Sequence, residues 1–143
     1  MKLSSLIFGT IFAVVVIAAV LWILGFSFHA PASGQGAALY NPADEVTASG
    51  VVQEIQDYDC PVSEFELSRH LMLKTADGSI EVHLAPNRIL HGQKLSFSPG
   101  DQVQVVGSKV RLAGKNGIIA RELTRHNETI IFRDHQGKLL LVQ

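Results

Sequence analysis

The sequence predicts a small all-β domain, a Greek-key β-barrel with one short helix, preceded by a single N-terminal transmembrane helix. Three observations carry this reading. Leu6 to Phe28 is an uncharged apolar block, strand-like runs separated by turn residues follow from Val46 onward, and a short helix fits between the third and fourth of those runs. The 143 residues allow one modest domain beside the apolar block and make two full domains unlikely.

The apolar block holds 23 residues. At a rise of about 1.5 Å per residue it spans roughly 34 Å, enough for a bilayer core of about 30 Å. Ile11 to Leu21 is apolar on every side, whereas an amphipathic helix of a soluble domain shows a polar face. Trp22, Phe26 and Phe28 sit where an interfacial belt is expected. The block is longer than the apolar core of a cleavable signal peptide, so residues 1–29 read as an anchor despite the Ala30-Pro31-Ala32 cleavage pattern. Lys2 precedes it, and no Lys or Arg follows until Arg69. Positive charge stays on the cytoplasmic side, so the expected topology is single-pass in the cytoplasmic membrane, N-terminus in, with the domain on the periplasmic side. Residues 30–45, marked by Pro31, Gly34, Gly36 and Pro42, read as a linker, and residues 46–143 as the extracytoplasmic domain.

Within that domain Val46–Gln56 is β-rich. Leu71, Leu73, Ile80, Val82 and Leu84 alternate with polar residues around Asp77-Gly78, a hairpin signal. Pro86 to Gly92 accommodates one or two helical turns. Pro99-Gly100-Asp101 turns into Val103–Leu112, whose apolar phase slips at Val105-Val106 beside Gly107, as a bulge would require. Gly114 to Gly117 turns into Ile118–Arg125, and a last hairpin, Thr129–Arg133 with Leu139–Val142, surrounds Gly137. A short helix between the third and fourth strands is the arrangement of an OB-like barrel.

Several segments carry a family resemblance. Glu81-Val82-His83-Leu84-Ala85-Pro86, Pro99-Gly100-Asp101-Gln102-Val103, Val106-Gly107-Ser108 and Ile119-Ala120-Arg121-Glu122 together resemble the OB-type domain of magnetosome MamS/MamX-like envelope proteins. The resemblance spans roughly Val46 to Val142 and implies an envelope-anchored accessory tied to metal or redox biology. The haem-binding C-x-x-C-H of the MamX branch is absent, so its electron-transfer role does not carry over. A second resemblance is to the periplasmic haem chaperone of cytochrome c maturation, also an anchored OB barrel. Ala120-Arg121-Glu122-Leu123-Thr124-Arg125-His126 is similar to the strand before that family's haem-attaching histidine, which implies haem at His126. The tyrosine that follows four residues later in that family is Ile130 here.

The residues themselves suggest a metal site. With Asp77-Gly78 as a two-residue loop, Met72 pairs with His83 and His70 with Ala85. His70, Met72, Lys74, Glu81 and His83 then share the outer face, the usual ligand surface of such barrels, while the alternate residues face the core. Cross-strand neighbours lie about 4.5–8 Å apart, so His70, Met72 and His83 converge within reach of one ion, and imidazole with thioether suits copper. Cys60, the only cysteine, falls in a long first loop between Asp57, Asp59 and Pro61, whose carboxylates would raise its pKa.

Other chemistries are disfavoured. The formal net charge is −1, and seven acidic residues from Asp44 to Glu66 precede the first basic one of the domain, which would repel a phosphate backbone. The outer hairpin face lacks aromatic residues on which bases stack. The chain carries no G-x-S-x-G, H-E-x-x-H or P-loop motif. The expectation is a non-enzymatic binding or assembly accessory of the bacterial envelope with an envelope protein as partner. Its alternatives are a haem or copper chaperone and an oligosaccharide or nucleic-acid binding module; the composition names no cofactor.

Overall fold

This is a computed structural model, and it describes residues 39–91 and 95–140. The anchor, most of the linker and the last three residues lie outside them. Among the described residues no helix is long and apolar enough to cross a membrane.

The described residues form six strands in order: β1 Glu45–Cys60, β2 Glu66–Thr75, β3 Gly78–Pro86, β4 Gln102–Leu112, β5 Lys115–Arg125 and β6 Glu128–Ile131. Among the described residues one α-helix, α1 Asn87–Leu90, follows β3. Pro86 stands just before it, where a fixed φ and a missing N–H cost nothing. The sheet runs β3-β2-β1-β4-β5-β6, and a parallel β3–β5 pairing closes it. Five strands thus form a Greek-key barrel in the circular order 1-2-3-5-4, with the helix between the third and fourth, the OB arrangement.

β1 is long enough to serve both halves of the barrel. Glu45–Val51 pairs with β4 and Val51–Cys60 with β2. Gly50 sits near the handover, where a side chain would not fit: a Cβ there would come within 2.7 Å of the Lys74 carbonyl oxygen. The expected bulge in β4 appears as a register shift between Val106 and Gly107, and a Cβ at Gly107 would lie only 2.2 Å from the Ile119 carbonyl. The barrel interior holds Val52, Leu71, Leu73, Val82, Leu84, Val105, Ile118 and Leu123, all essentially inaccessible. Their strict alternation along β2 and β3 is what a strand with one core face requires.

The sequence reading needs four corrections. The β2–β3 loop is Ala76-Asp77, not Asp77-Gly78, because Thr75 pairs with Gly78. Gly78 takes the positive φ, 128°, while the Thr75 hydroxyl donates to its carbonyl and accepts from the Asp77 amide. Every pair shifts by two in summed position, so each side chain keeps its face but changes partner. β1 runs on to Cys60, so that residue ends a strand and does not lie in a loop. The β4–β5 loop is Ala113-Gly114, both at positive φ as a tight hairpin needs, and β5 starts at Lys115. β6 pairs with β5 rather than with the C-terminal segment, where Arg133 makes an isolated bridge to Leu139.

The start of β1 is tied across β4 to β5 by the Glu45–Arg121 ion pair, 2.8 Å between Oε1 and Nε, with the Tyr40 hydroxyl donating to the same oxygen. The Arg121 hydrogen bond holds the Glu45 carboxyl below the usual range; partial burial opposes this and Tyr40 adds to it.

Two outcomes follow from this arrangement. Leu73→Ala removes a fully buried side chain and is expected to cost about 2–5 kcal/mol in denaturant unfolding, whereas Lys74→Ala on the exposed face stays within about 0.5 kcal/mol. A larger loss from Lys74→Ala would overturn the register. For Glu45, a lowered folded pKa means stability present above the ordinary carboxylate value of about 4.3 and lost as pH falls through the folded one. The stability difference between wild type and Glu45→Gln should therefore be present at pH 7, on the order of 1 kcal/mol, and shrink as pH falls below about 4, to vanish once it is below the folded value. A difference that persists unchanged there contradicts the ion-pair assignment.

Candidate metal centre

The outer face of β1, β2 and β3 does not meet solvent at its upper end. Tyr40, before β1, and the 3-10 turn Pro61–Ser63, after it, fold over this face. Tyr40, Cys60, Val62 and Ile119 form a second apolar cluster outside the barrel. Gly137 packs against Tyr40 so closely that a Cβ there would lie 2.3 Å from the Tyr40 Cβ. Polar side chains expected on a wet surface are thereby sealed in.

Three of them come together. His70 and His83 are directly opposite in the β2–β3 ladder, with ring centroids 4.8 Å apart and planes at 89°. The Cys60 Sγ lies 3.5 Å from His83 Nδ1. One ligand atom from each of Cys60, His70 and His83 falls within 4.8 Å of the others. The three residues are 1%, 2% and 5% exposed, respectively. Tyr58 stacks on the His70 ring at 3.8 Å and 7°, and its hydroxyl donates to the Glu81 carboxylate. On β5, the absence of a side chain at Gly117 admits the His83 ring, since a Cβ there would lie 3.0 Å from Nε2.

The electrostatics favour neutral nitrogen donors. Burial lowers the His70 pKa to about 4, and His83 adds to the effect; Glu81, the Ser68 backbone and Asp57 act against it. Burial also depresses His83, opposed by Glu81 and assisted by Arg133. The Cys60 thiol is pushed up, chiefly by burial rather than by its acidic neighbours. Asp57 is engaged elsewhere, in a bidentate pair with Arg69 and a hydrogen bond from Asn87. Neither ring nitrogen of His70, both buried, has a partner in good hydrogen-bond geometry; the Ser68 backbone lies near enough only to favour the protonated ring. An unsatisfied buried polar group costs about 1–3 kcal/mol, so an ordinary core histidine finds a partner.

Of the residues proposed from sequence, His70 and His83 are brought together. Met72 shares their face but stands opposite Glu81, two pairs further along the ladder and partly exposed. The pairing of Met72 with His83 and of His70 with Ala85 is corrected, as is the solvated setting expected for the histidines. Cys60 takes the place sequence reasoning gave to Met72. The signal that would have found it is the alternation of Tyr58 and Cys60 in a strand continued past Gln56. His126 lies apart, exposed in the two-residue β5–β6 turn with Asn127, both at positive φ. It borders an open cleft lined by Gly100, Asp101 and Gln102.

Residues 44–130, well over half of the chain, match the MamS/MamX magnetosome protein family. The chain belongs to that family. In this MamS/MamX domain the match covers β1 through most of β6, and so all three residues of the cluster. Among solved structures, the S. pombe Stn1–Ten1 complex is similar at 16% identity and a TM-score of 0.44, over 59% of each chain. The N-terminal domain of PriB from Thermoanaerobacter tencongensis is similar at 17% identity and a TM-score of 0.45, over 60% of this chain and 99% of that one. No curated protein matches the sequence.

Burial and a raised pKa both oppose thiolate formation at Cys60. In the metal-free native protein, thiol-specific labelling of Cys60 should be at least about 100-fold slower than after unfolding. Labelling of the folded protein at the rate of a free thiol would show that this face is open.

Proposed function

We propose that this protein is a membrane-anchored, extracytoplasmic accessory of the magnetosome type that holds one transition-metal ion through Cys60, His70 and His83, and that it is not an enzyme. The family supports the magnetosome-type role. The apolar block Leu6–Phe28 behind Lys2 supports the anchor and its orientation. The metal reading rests on one observation: a fully enclosed histidine whose ring nitrogens both lack a partner in good hydrogen-bond geometry lies within ligand distance of a second histidine and a thiol. Each of the three presents a donor that binds metal when deprotonated or neutral, and imidazole with thiolate is a set used by zinc and copper. The fold does not depend on the ion, because the barrel interior is built from other side chains. Ile119, Val62 and Tyr40 shield the cluster from water and from adventitious oxidants, as storage or handover of a reactive ion requires.

The test is metal content. Full-length protein loaded with copper or zinc and desalted should retain one equivalent. Cys60→Ser, His70→Ala and His83→Ala should each weaken binding by more than about 100-fold, beyond the roughly 10–100-fold that loss of an outer-shell partner costs. Met72→Ala and His126→Ala should leave it unchanged. Retention unaffected by the three cluster variants removes the reading. A bound haem lost only in His126→Ala would move the function to the cytochrome c maturation resemblance.

A further inference from the structure

The hairpin of β4 and β5 outruns the barrel wall. β1 pairs with β4 no further than Glu45–Ser108, and β3 meets β5 only from Glu81–Gly117 onward. Lys109–Leu112 therefore have β5 as their sole strand partner, and Lys115-Asn116 have β4 alone. The result is a two-stranded arm tipped by Ala113-Gly114. Val110 and Leu112 on one of its faces pack against the cluster of Tyr40, Cys60, Val62 and Ile119. Lys109, Arg111 and Lys115 are exposed. Among the described residues none of these three side chains has an ion-pair or hydrogen-bond partner. The sequence holds no acidic residue between Asp101 and Glu122.

The acids of the neighbouring strands stand at the root of the arm, and each is engaged. Glu45, opposite Ser108, is held by Arg121 and Tyr40, and Glu122 by Arg121. Glu81, opposite Gly117, accepts from the Tyr58 hydroxyl, and Asp44 accepts from Asn41 Nδ2. In the adjoining C-terminal turn Asp134 and Lys138 carry opposite charges. Leu112 lies four residues beyond Ser108, about 13 Å at the rise of a strand, and the Debye length at physiological salt is about 8 Å. The outer part of the arm thus presents cations that the protein does not neutralise.

The chain enters the domain beside this arm. The Asn41 amide donates to the Ser108 hydroxyl at 3.0 Å, one residue before Lys109. Ten residues, 29–38, separate the apolar block from Leu39. Fully extended they reach at most about 40 Å, so a bilayer that holds the block keeps this corner of the domain close, at a high effective concentration. Resting on the anchored reading above, we propose that the β4–β5 arm docks the domain on the anionic headgroups of the membrane its own chain is anchored in, through Lys109, Arg111 and Lys115. A basic patch beside a hydrophobic anchor is a second, electrostatic attachment to such a surface. The arm carries no aromatic side chain on which bases stack, which sets a lipid surface ahead of single-stranded nucleic acid. β5 runs from the arm to the turn at His126-Asn127, so docking leaves that turn at the end away from the bilayer.

The experiment uses the full-length protein in nanodiscs of phosphatidylcholine with and without phosphatidylglycerol. A donor dye on Asn116→Cys, and in a separate protein on Glu128→Cys, reports energy transfer to headgroup-labelled lipid. Each cation near an anionic surface strengthens attachment by about fivefold, so the docked-to-undocked ratio should rise by about a hundredfold with phosphatidylglycerol. Transfer from Asn116→Cys should increase and that from Glu128→Cys should not. Salt at about 1 M should abolish the difference, since the Debye length then falls to about 3 Å. The triple variant Lys109→Gln, Arg111→Gln, Lys115→Gln changes only exposed, unpartnered side chains, so it should fold as the wild type does and show no response to phosphatidylglycerol. Transfer from Asn116→Cys that ignores phosphatidylglycerol, or responds equally in the triple variant, overturns the inference and leaves the anchor standing. So does an arm that binds single-stranded DNA at physiological salt while ignoring lipid composition. A chain that enters nanodiscs of neither composition removes the anchor, and this inference with it.

Discussion

The barrel closes through three residue pairs, Glu81–Gly117, Val82–Ile118 and His83–Ile119, between the parallel strands β3 and β5. Parallel pairing is short here because β5 must also offer the same edge to β6, from Glu122 onward. Between the two pairings the backbone carbonyls of Leu84 and Ala120 face inward without a strand opposite. Buried carbonyls left unpaired are costly, and the Arg133 guanidinium, with donors arranged as a rigid fork, bonds both. The seam and its arginine thus determine whether this sheet is a barrel or an open ribbon. They also place His83 at the seam, where β1, β2 and β5 all reach it.

Closure has a second effect. A sheet that curls tightly brings the end of β1, the 3-10 turn after it and the segment around Tyr40 over one outer patch. An antiparallel barrel of this size ordinarily leaves its outer face wet. Here part of that face becomes a small second interior, with Cys60, His70 and His83 inside it. Burial then depresses both histidines and raises the thiol, which leaves donors that are neutral and held in place. Glycine matters at two points of this construction. Gly107 permits the bulge contact with Ile119, and Gly117 leaves room for the His83 ring.

In this member of the magnetosome family the cluster supplies donors for an ion, while the sequence carries no haem attachment motif. The exposed His126 turn and the enclosed cluster are separate features of the same domain: one has the backbone of a tight hairpin loop, the other the solvent exclusion of a core. Only the second has buried polar atoms that lack hydrogen-bond partners within the protein.

The strand alternation of Leu71, Leu73, Val82 and Leu84, the helix at Asn87–Leu90 and the bulge beside Gly107 were legible in the sequence, because each follows from local periodicity and backbone preference. So was the face shared by His70 and His83, since a shift of the turn by one residue on each strand changes partners and keeps the side of the sheet. The partners themselves were not legible: Asp77-Gly78 reads as a two-residue loop, and only the Thr75 side chain, closing on Gly78 and Asp77, decides the register. Nor was the third member of the cluster. Cys60 is far from both histidines in sequence, and its neighbours Asp57, Asp59 and Pro61 read as a loop. The sequence by itself determined which residues alternate, and therefore which face each occupies. The tertiary structure decided which face is dry, because burial of the outer patch depends on segments at Tyr40, Val62 and Ile119 that meet only once the β3–β5 seam has closed.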